Sequence, residues 1–160
     1  MGFLSGSREQ VVPRTLLVLL RLYLGFAFLL AGLPKLRGAE DWPARMAGAI
    51  EGALPRSYDF YRSFLEGTVL PHKEVFAALV AWGEVLVGAA LLLGLCTRGA
   101  ALAGLVMNVN YLLMSGQHPL GPMNNAAFIF LELVVLLGAA GRALGVDYFL
   151  AKKWPRLPLW

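Results

Sequence analysis

Cysteine is nearly absent: Cys96 is the single one in 160 residues. One thiol forms no intrachain disulfide, supplies no thiol relay of the kind that needs a cysteine pair, and cannot ligate an iron–sulfur cluster. Histidine is almost as scarce, with His72 and His118 alone. Both map to helix ends, no Cys-x-x-Cys-His haem attachment is present, and no metal site is expected. A Gly-rich nucleotide loop, a nucleophile elbow and a paired metal-binding acidic motif are also missing. Charge is sparse as well, at 15% of residues. The net charge of +4 comes from basic residues that flank apolar runs and form no groove-like cluster, so nucleic acid is not an expected partner.

What is abundant is hydrophobic sequence, 58% of the chain, with a mean hydropathy of +0.64. That composition belongs to a membrane protein whose partner is the lipid bilayer. Apolar runs at 16–33, 75–95, 99–116 and 123–140 are each long enough to cross a hydrocarbon core of about 30 Å. The expected fold is therefore all-α: a single domain over 1–160, built as an antiparallel bundle of four transmembrane helices. The first run is preceded by basic residues, as in a secretory signal, but no A-x-A-like cleavage site follows it, so it is expected to stay as the first span.

Arg8 and Arg14 precede the first run, Arg98 lies in the turn between the second and third, and Arg142, Lys152, Lys153 and Arg156 follow the fourth. By the positive-inside rule these places are cytoplasmic, which puts both termini inside and the segment 34–74 outside. A bacterial inner membrane is the expected location. The outer segment is rich in aromatics (Trp42, Tyr58, Phe60, Tyr61, Phe64) and punctuated by Pro43, Pro55 and Pro71. It is expected to form short interfacial helices near Ala44–Leu54 and Arg56–Leu65. Lys35, at the end of the first run, reads as a snorkelling interfacial anchor. The tail AKKWPRLPLW has the basic and aromatic character of another.

Within the apolar runs stand a few polar side chains, and a charged group at that depth is a functional-site hypothesis by default. Glu84 is near the middle of the second run, Asn108 of the third and Glu132 of the fourth. Arg21 lies about three residues below the middle of the first, a gap its side chain is expected to bridge. Asn108 and Tyr111 share a helix face with Gly104 and Ser115, and Asn125 shares one with Glu132. Arg21, Glu84, Glu132 and Asn108 are thus expected to meet at mid-depth. Two carboxylates beside one cation leave one carboxyl able to carry a proton near neutral pH, which suits proton-coupled redox chemistry. Such a cluster also serves as a structural clasp between helices.

Arg21, Gly25 and Gly32-Leu33-Pro34-Lys35, then Gly83-Glu84, Gly88, Leu93-Gly94 and Thr97-Arg98, then Asn125, and finally Gly141-Arg142 with Asp147, form an ordered set. In this set the chain resembles the DoxX family and the related DoxD family, the latter similar to the small membrane subunit of thiosulfate:quinone oxidoreductase. The long segment between the first two spans leans toward DoxD. The resemblance implies a four-helix membrane protein associated with redox enzymes, with quinone as the bound substrate and no other cofactor evident. On that implication Glu84, Glu132 and Arg21 are the candidate catalytic residues, and Asn108, Tyr111 and Asn125 the candidate quinone-binding ones. A soluble or membrane redox partner and a homo-oligomer are both compatible with it. The competing functions are a non-enzymatic anchor or assembly subunit for a partner enzyme, and a small-solute permeation protein.

Overall fold

The computed structural model describes residues 14–116, 125–138 and 140–154, and among these the regular structure is helical. The α-helices are α1 (Arg14–Arg37), α2 (Trp42–Ala53), α3 (Asp59–Phe64), α4 (Lys73–Leu93), α5 (Thr97–Ser115), α6 (Asn125–Gly138) and α7 (Val146–Lys153). Short 3-10 turns occupy 54–56 and 140–142, and a π-helical turn occupies Leu65–Val69. The first run extends beyond its expected bounds at both ends and continues through Pro34. The second ends two residues early, at Leu93, because Gly94 adopts a left-handed conformation (φ 64°) and its N–H caps the Ala90 and Leu91 carbonyls. His118 and the first two residues of the fourth run lie outside the described residues.

α1 (24 residues) and α4 (21 residues) are long and apolar enough to cross a membrane. Their patterning is inverted relative to a water-soluble helix. Along α4 the buried positions are Ala77, Ala81, Glu84, Val87, Gly88 and Leu91, small or polar for the most part. The outward stripe is Val75, Leu79, Trp82, Leu86 and Leu93. On α1 the exposed stripe is Leu19, Tyr23, Phe26 and Leu30. Contiguous apolar stripes of this kind need an apolar surrounding, and the chain is a membrane protein. α5 has 19 residues but includes Asn108, Asn110 and Ser115, and α6 has 14, so neither meets the same standard.

α1 packs on α4 and α6, and α5 packs on α4 and α6, which closes the four long helices into a ring. Small residues set the approach of α1 to α4. A Cβ on Gly88 would stand 2.8 Å from the Gly25 carbonyl oxygen, and one on Gly32 would stand 2.9 Å from the Glu84 Cβ. The two backbones touch, as small residues at this spacing permit in lipid. Their register is antiparallel, with Gly25 level with Gly88 to Leu92 and Gly32 level with Glu84 and Val85. Leu24, Leu91, Ala101 and Val135 fill the centre of the ring.

The segment between α1 and α4 caps one end of this ring, here called the upper end. α2 starts with proline in its first turn, where a missing N–H costs nothing, and buries Met46, Ile50 and Ala53. Met46 and Ile50 join Leu65, Val69 and Ala77 in a second core. Trp42 donates its indole N–H to the Ala77 carbonyl at 3.0 Å, and Ser57 Oγ donates to Met114 at 2.5 Å. Short helices were expected here, and they form near the expected bounds. They dock onto α4 and α5 with a buried side, while Tyr58, Phe60 and Phe64 stay exposed. The reason is Ser57 and Trp42, whose bonds to the carbonyls near the ends of α5 and α4 tie the segment down.

Candidate functional site

Glu84 is held by α4 facing inward, between Ala81 and Gly88. One turn beyond Gly32 on α1 stands Lys35, and the contact that Gly32 permits brings the lysine stem alongside α4. Its ammonium lies 2.5 and 2.6 Å from the two Glu84 carboxylate oxygens. The phenol of Tyr111, from α5, donates to Oε1 at 2.8 Å. Lys35 also sits 4.8 Å from the centre of the Trp42 ring, within range of a cation–π contact. Three helices and the cap therefore converge on one carboxylate. Lys35 is no snorkelling anchor: it turns into the protein because a buried carboxylate attracts it more than the headgroup layer does.

Arg21 does not take that place. Gly94 of the α4–α5 turn and Gly145 before α7 pack against its guanidinium, and the charge it faces is Asp147. Depth counting failed because it assumed that the helices start level. Gly32 is the α1 residue level with Glu84, and Arg21 lies 11 residues below it, about 16 Å at 1.5 Å per residue. No arginine spans that distance.

Glu132 of α6 is fully buried, and its Oε1 accepts from Asn108 Nδ2 at 2.7 Å. Gly104 makes room for it, since a Cβ there would stand 2.7 Å from Oε1. Glu132 Oε2 has no hydrogen-bond partner among the described residues. The expected mid-depth constellation is thus divided into Lys35–Glu84–Tyr111 on one side and Asn108–Glu132 on the other.

Two cavities adjoin these groups. The smaller, about 190 Å³, is lined by Glu84, Asn108, Tyr111 and Asn125 with Ala27, Phe28, Ala31 and Phe128. It brings Asn108, Tyr111 and Asn125, the three candidate ligand-binding residues, to one space beside Glu84. The larger, about 390 Å³, lies under the cap and is bounded by Lys35, Trp42, Tyr61, Asn110 and Tyr111 amid apolar side chains including Ile50, Phe64, Val80, Met107 and Met114. Tyr61 donates to Asn110 Oδ1 at 2.5 Å, and burial pushes its phenol up from the usual tyrosine range, so it remains a neutral donor. A volume in this range with apolar walls and a few convergent polar groups is the usual form of a small-molecule site. Lys35 and Tyr111 supply donors at one wall.

Sequence reasoning missed Lys35 as a site residue. The signal for Lys35 was its position one turn after Gly32, on the same face as Gly25 and Gly32. At the opposite end it also missed a second polar assembly. The Asp147 carboxylate accepts from the Cys96 N–H at 2.7 Å and the Thr97 N–H at 2.8 Å, capping the first turn of α5. The Asp147 N–H in turn donates to the Gly94 carbonyl at 2.8 Å. His72, the described histidine, bonds through Nδ1 to the Thr68 carbonyl.

No solved structure matches the chain. The DoxX family matches over residues 16–115, a stretch that holds Arg21, Lys35, Glu84, Asn108 and Tyr111 and leaves out Glu132. Matching well over half of its length, the chain belongs to the DoxX family.

Proposed function

We propose that this protein is the membrane subunit of a quinone-linked redox system, with its ligand site in the larger cavity against Lys35 and Tyr111. The observation that carries the reading is the Lys35–Glu84–Tyr111 cluster at the wall of an apolar cavity, a polar head position joined to a greasy volume. In this reading α5 and α6 cross the bilayer together with α1 and α4. The ring closure supports it, because α5 and α6 bury the same central core. In this reading the α4–α5 turn and both termini are cytoplasmic and the cap is outside, which the distribution of basic residues supports.

A quinone, when bound, takes up electrons and protons together, the electrons arriving from a partner enzyme. The chain's own residues bind and orient it. Lys35 directs positive charge into the cavity, where it stabilises negative charge developing on a ligand oxygen. Tyr111 lines both cavities and touches Glu84, so its hydroxyl lies on the path between the ligand and the carboxylate. Glu84 orients both donors and exchanges protons through the smaller cavity, whose Asn108 leads on to Glu132. Trp42, Phe64 and Met114 exclude water. The anchor or assembly function draws on the same pair, since Lys35 and Glu84 also satisfy one another as a clasp.

The test is binding of a short-chain quinone analogue to protein in lipid nanodiscs, read by quenching of Trp42 in a protein whose other tryptophans are replaced by phenylalanine. Saturable quenching that weakens about tenfold in Lys35→Met is the expected result. A folded protein that binds no analogue removes the quinone reading and leaves the anchor.

A further inference from the structure

The larger cavity reaches the side of the molecule, and the chemistry of its rim identifies the phase it opens into. Among its lining residues Leu79 of α4 and Val106 of α5 are 61% and 51% exposed. Ala49 of α2 and Phe64 of α3, also exposed, complete the rim above them. All four are apolar. The charged lining residue, Lys35, is turned inward onto Glu84. Leu79 belongs to the same outward stripe of α4 as Val75, Trp82 and Leu86, the surface that faces hydrocarbon. A mouth on this stripe, under the cap and between two long helices, gives onto lipid and not onto water.

We infer that the mouth between Leu79 and Val106 is a lateral portal through which a membrane-dissolved amphiphile passes head first, its polar ring reaching Lys35 and Tyr111 while its long apolar tail stays in the portal. This deepens the quinone reading and rests on it: the ligand is a long-tailed, lipid-resident molecule, and its tail is a binding determinant. Volume agrees with the division of labour. A cavity of about 390 Å³ accommodates a ring and the first part of a tail but not a polyisoprenoid chain, so the remainder must leave by an apolar opening. The rim also bars water-soluble ligands of similar ring size from gaining by the portal, because they offer it no apolar surface to bury.

The experiment compares two analogues with the same ring, one carrying a long isoprenoid tail and one only a methyl group, on the full chain in nanodiscs. Wild type is expected to bind the tailed analogue at least about tenfold more tightly after correction for partition into lipid. In Leu79→Trp/Val106→Trp the rim is filled, and that preference is expected to fall to within about twofold while the methyl analogue keeps its affinity. Leu86→Trp, on the same outward stripe but away from the cavity, is expected to retain the full preference. A tailed analogue with a photoreactive group on its first isoprene unit is expected to label the segments around Leu79 or Val106. Retained preference in the double variant, or labelling confined to the opposite face, overturns the portal. Failure of both analogues to bind wild type overturns instead the ligand site on which the portal rests.

Discussion

At the scale of single residues, the decisive pair is Lys35 with Glu84. Glu84 is almost wholly buried and Lys35 largely so, at 3% and 20% side-chain exposure. Removing one partner of such a pair strands the other charge, which costs more than removing both. Lys35→Met is therefore expected to destabilise the folded protein by about 3 kcal/mol. The Lys35→Met/Glu84→Gln double variant should lose less than the sum of the two single changes, as measured by unfolding in mixed micelles. Additive losses would show that the pair is not coupled. Glu84, Asn108 and Glu132 were legible in the sequence, because an acid or amide in the middle of an apolar run has few benign explanations. The identity of the cation was not. Depth along a helix is readable from sequence, but the offset between helices is set by where Gly25, Gly32 and Gly88 let two backbones meet, and that is a property of the pair.

At the scale of elements, the helical glycines separate into those that pack and those that do not. Gly88→Val places a Cβ 2.8 Å from the Gly25 carbonyl oxygen, against backbone that cannot yield without moving α1. Gly48 on α2 has nothing within 4 Å of the same position. Gly48→Ala is expected to stabilise by about 0.5 kcal/mol, since the helix gains an alanine at no steric cost. Gly88→Val should instead lower the thermal midpoint and weaken the Lys35–Glu84 contact that depends on the α1–α4 approach. The α5 terminus offers a separate check. Asp147→Ala leaves the Cys96 and Thr97 amides without their acceptor and removes the charge that buried Arg21 faces, so the loss exceeds the roughly 1 kcal/mol typical of a helix cap. Hydrogen exchange should quicken at residues 96–98 while protection in the middle of α4 is unchanged. The long helices were readable from their apolar runs to within a few residues. The attachment of α7 was not, because a carboxylate 50 residues downstream caps α5 and no local pattern announces it.

At the scale of the whole molecule, the structure gathers at one end what is dispersed in sequence. Arg21, the Gly94 turn, Gly145 and Asp147 are in contact, so the start of α1, the α4–α5 turn and α7 share the lower end. Arg14, Arg98, Lys152 and Lys153 belong to those same segments, and Arg142 to the 3-10 turn packed against α7. The capping segment at the other end mixes both signs. Positive charge gathered at one end of a ring of apolar helices fixes orientation during insertion, since Lys and Arg resist translocation and long mixed loops do not. Cys96, half-buried in the α4–α5 turn, is a native reporter of that orientation. A membrane-impermeant maleimide should label Cys96 in inside-out vesicles and leave it unlabelled in right-side-out ones. In Cys96→Ser/Gly48→Cys, with the thiol on the exposed face of α2, the pattern should reverse. Labelling of both positions from the same side would mean that α1 and α4 do not both cross the membrane, whereas exchange of the two patterns would invert the protein and turn the Lys35 cavity toward the cytoplasm. On the quinone reading proposed above, orientation decides from which face of the bilayer a partner enzyme would deliver electrons to the site.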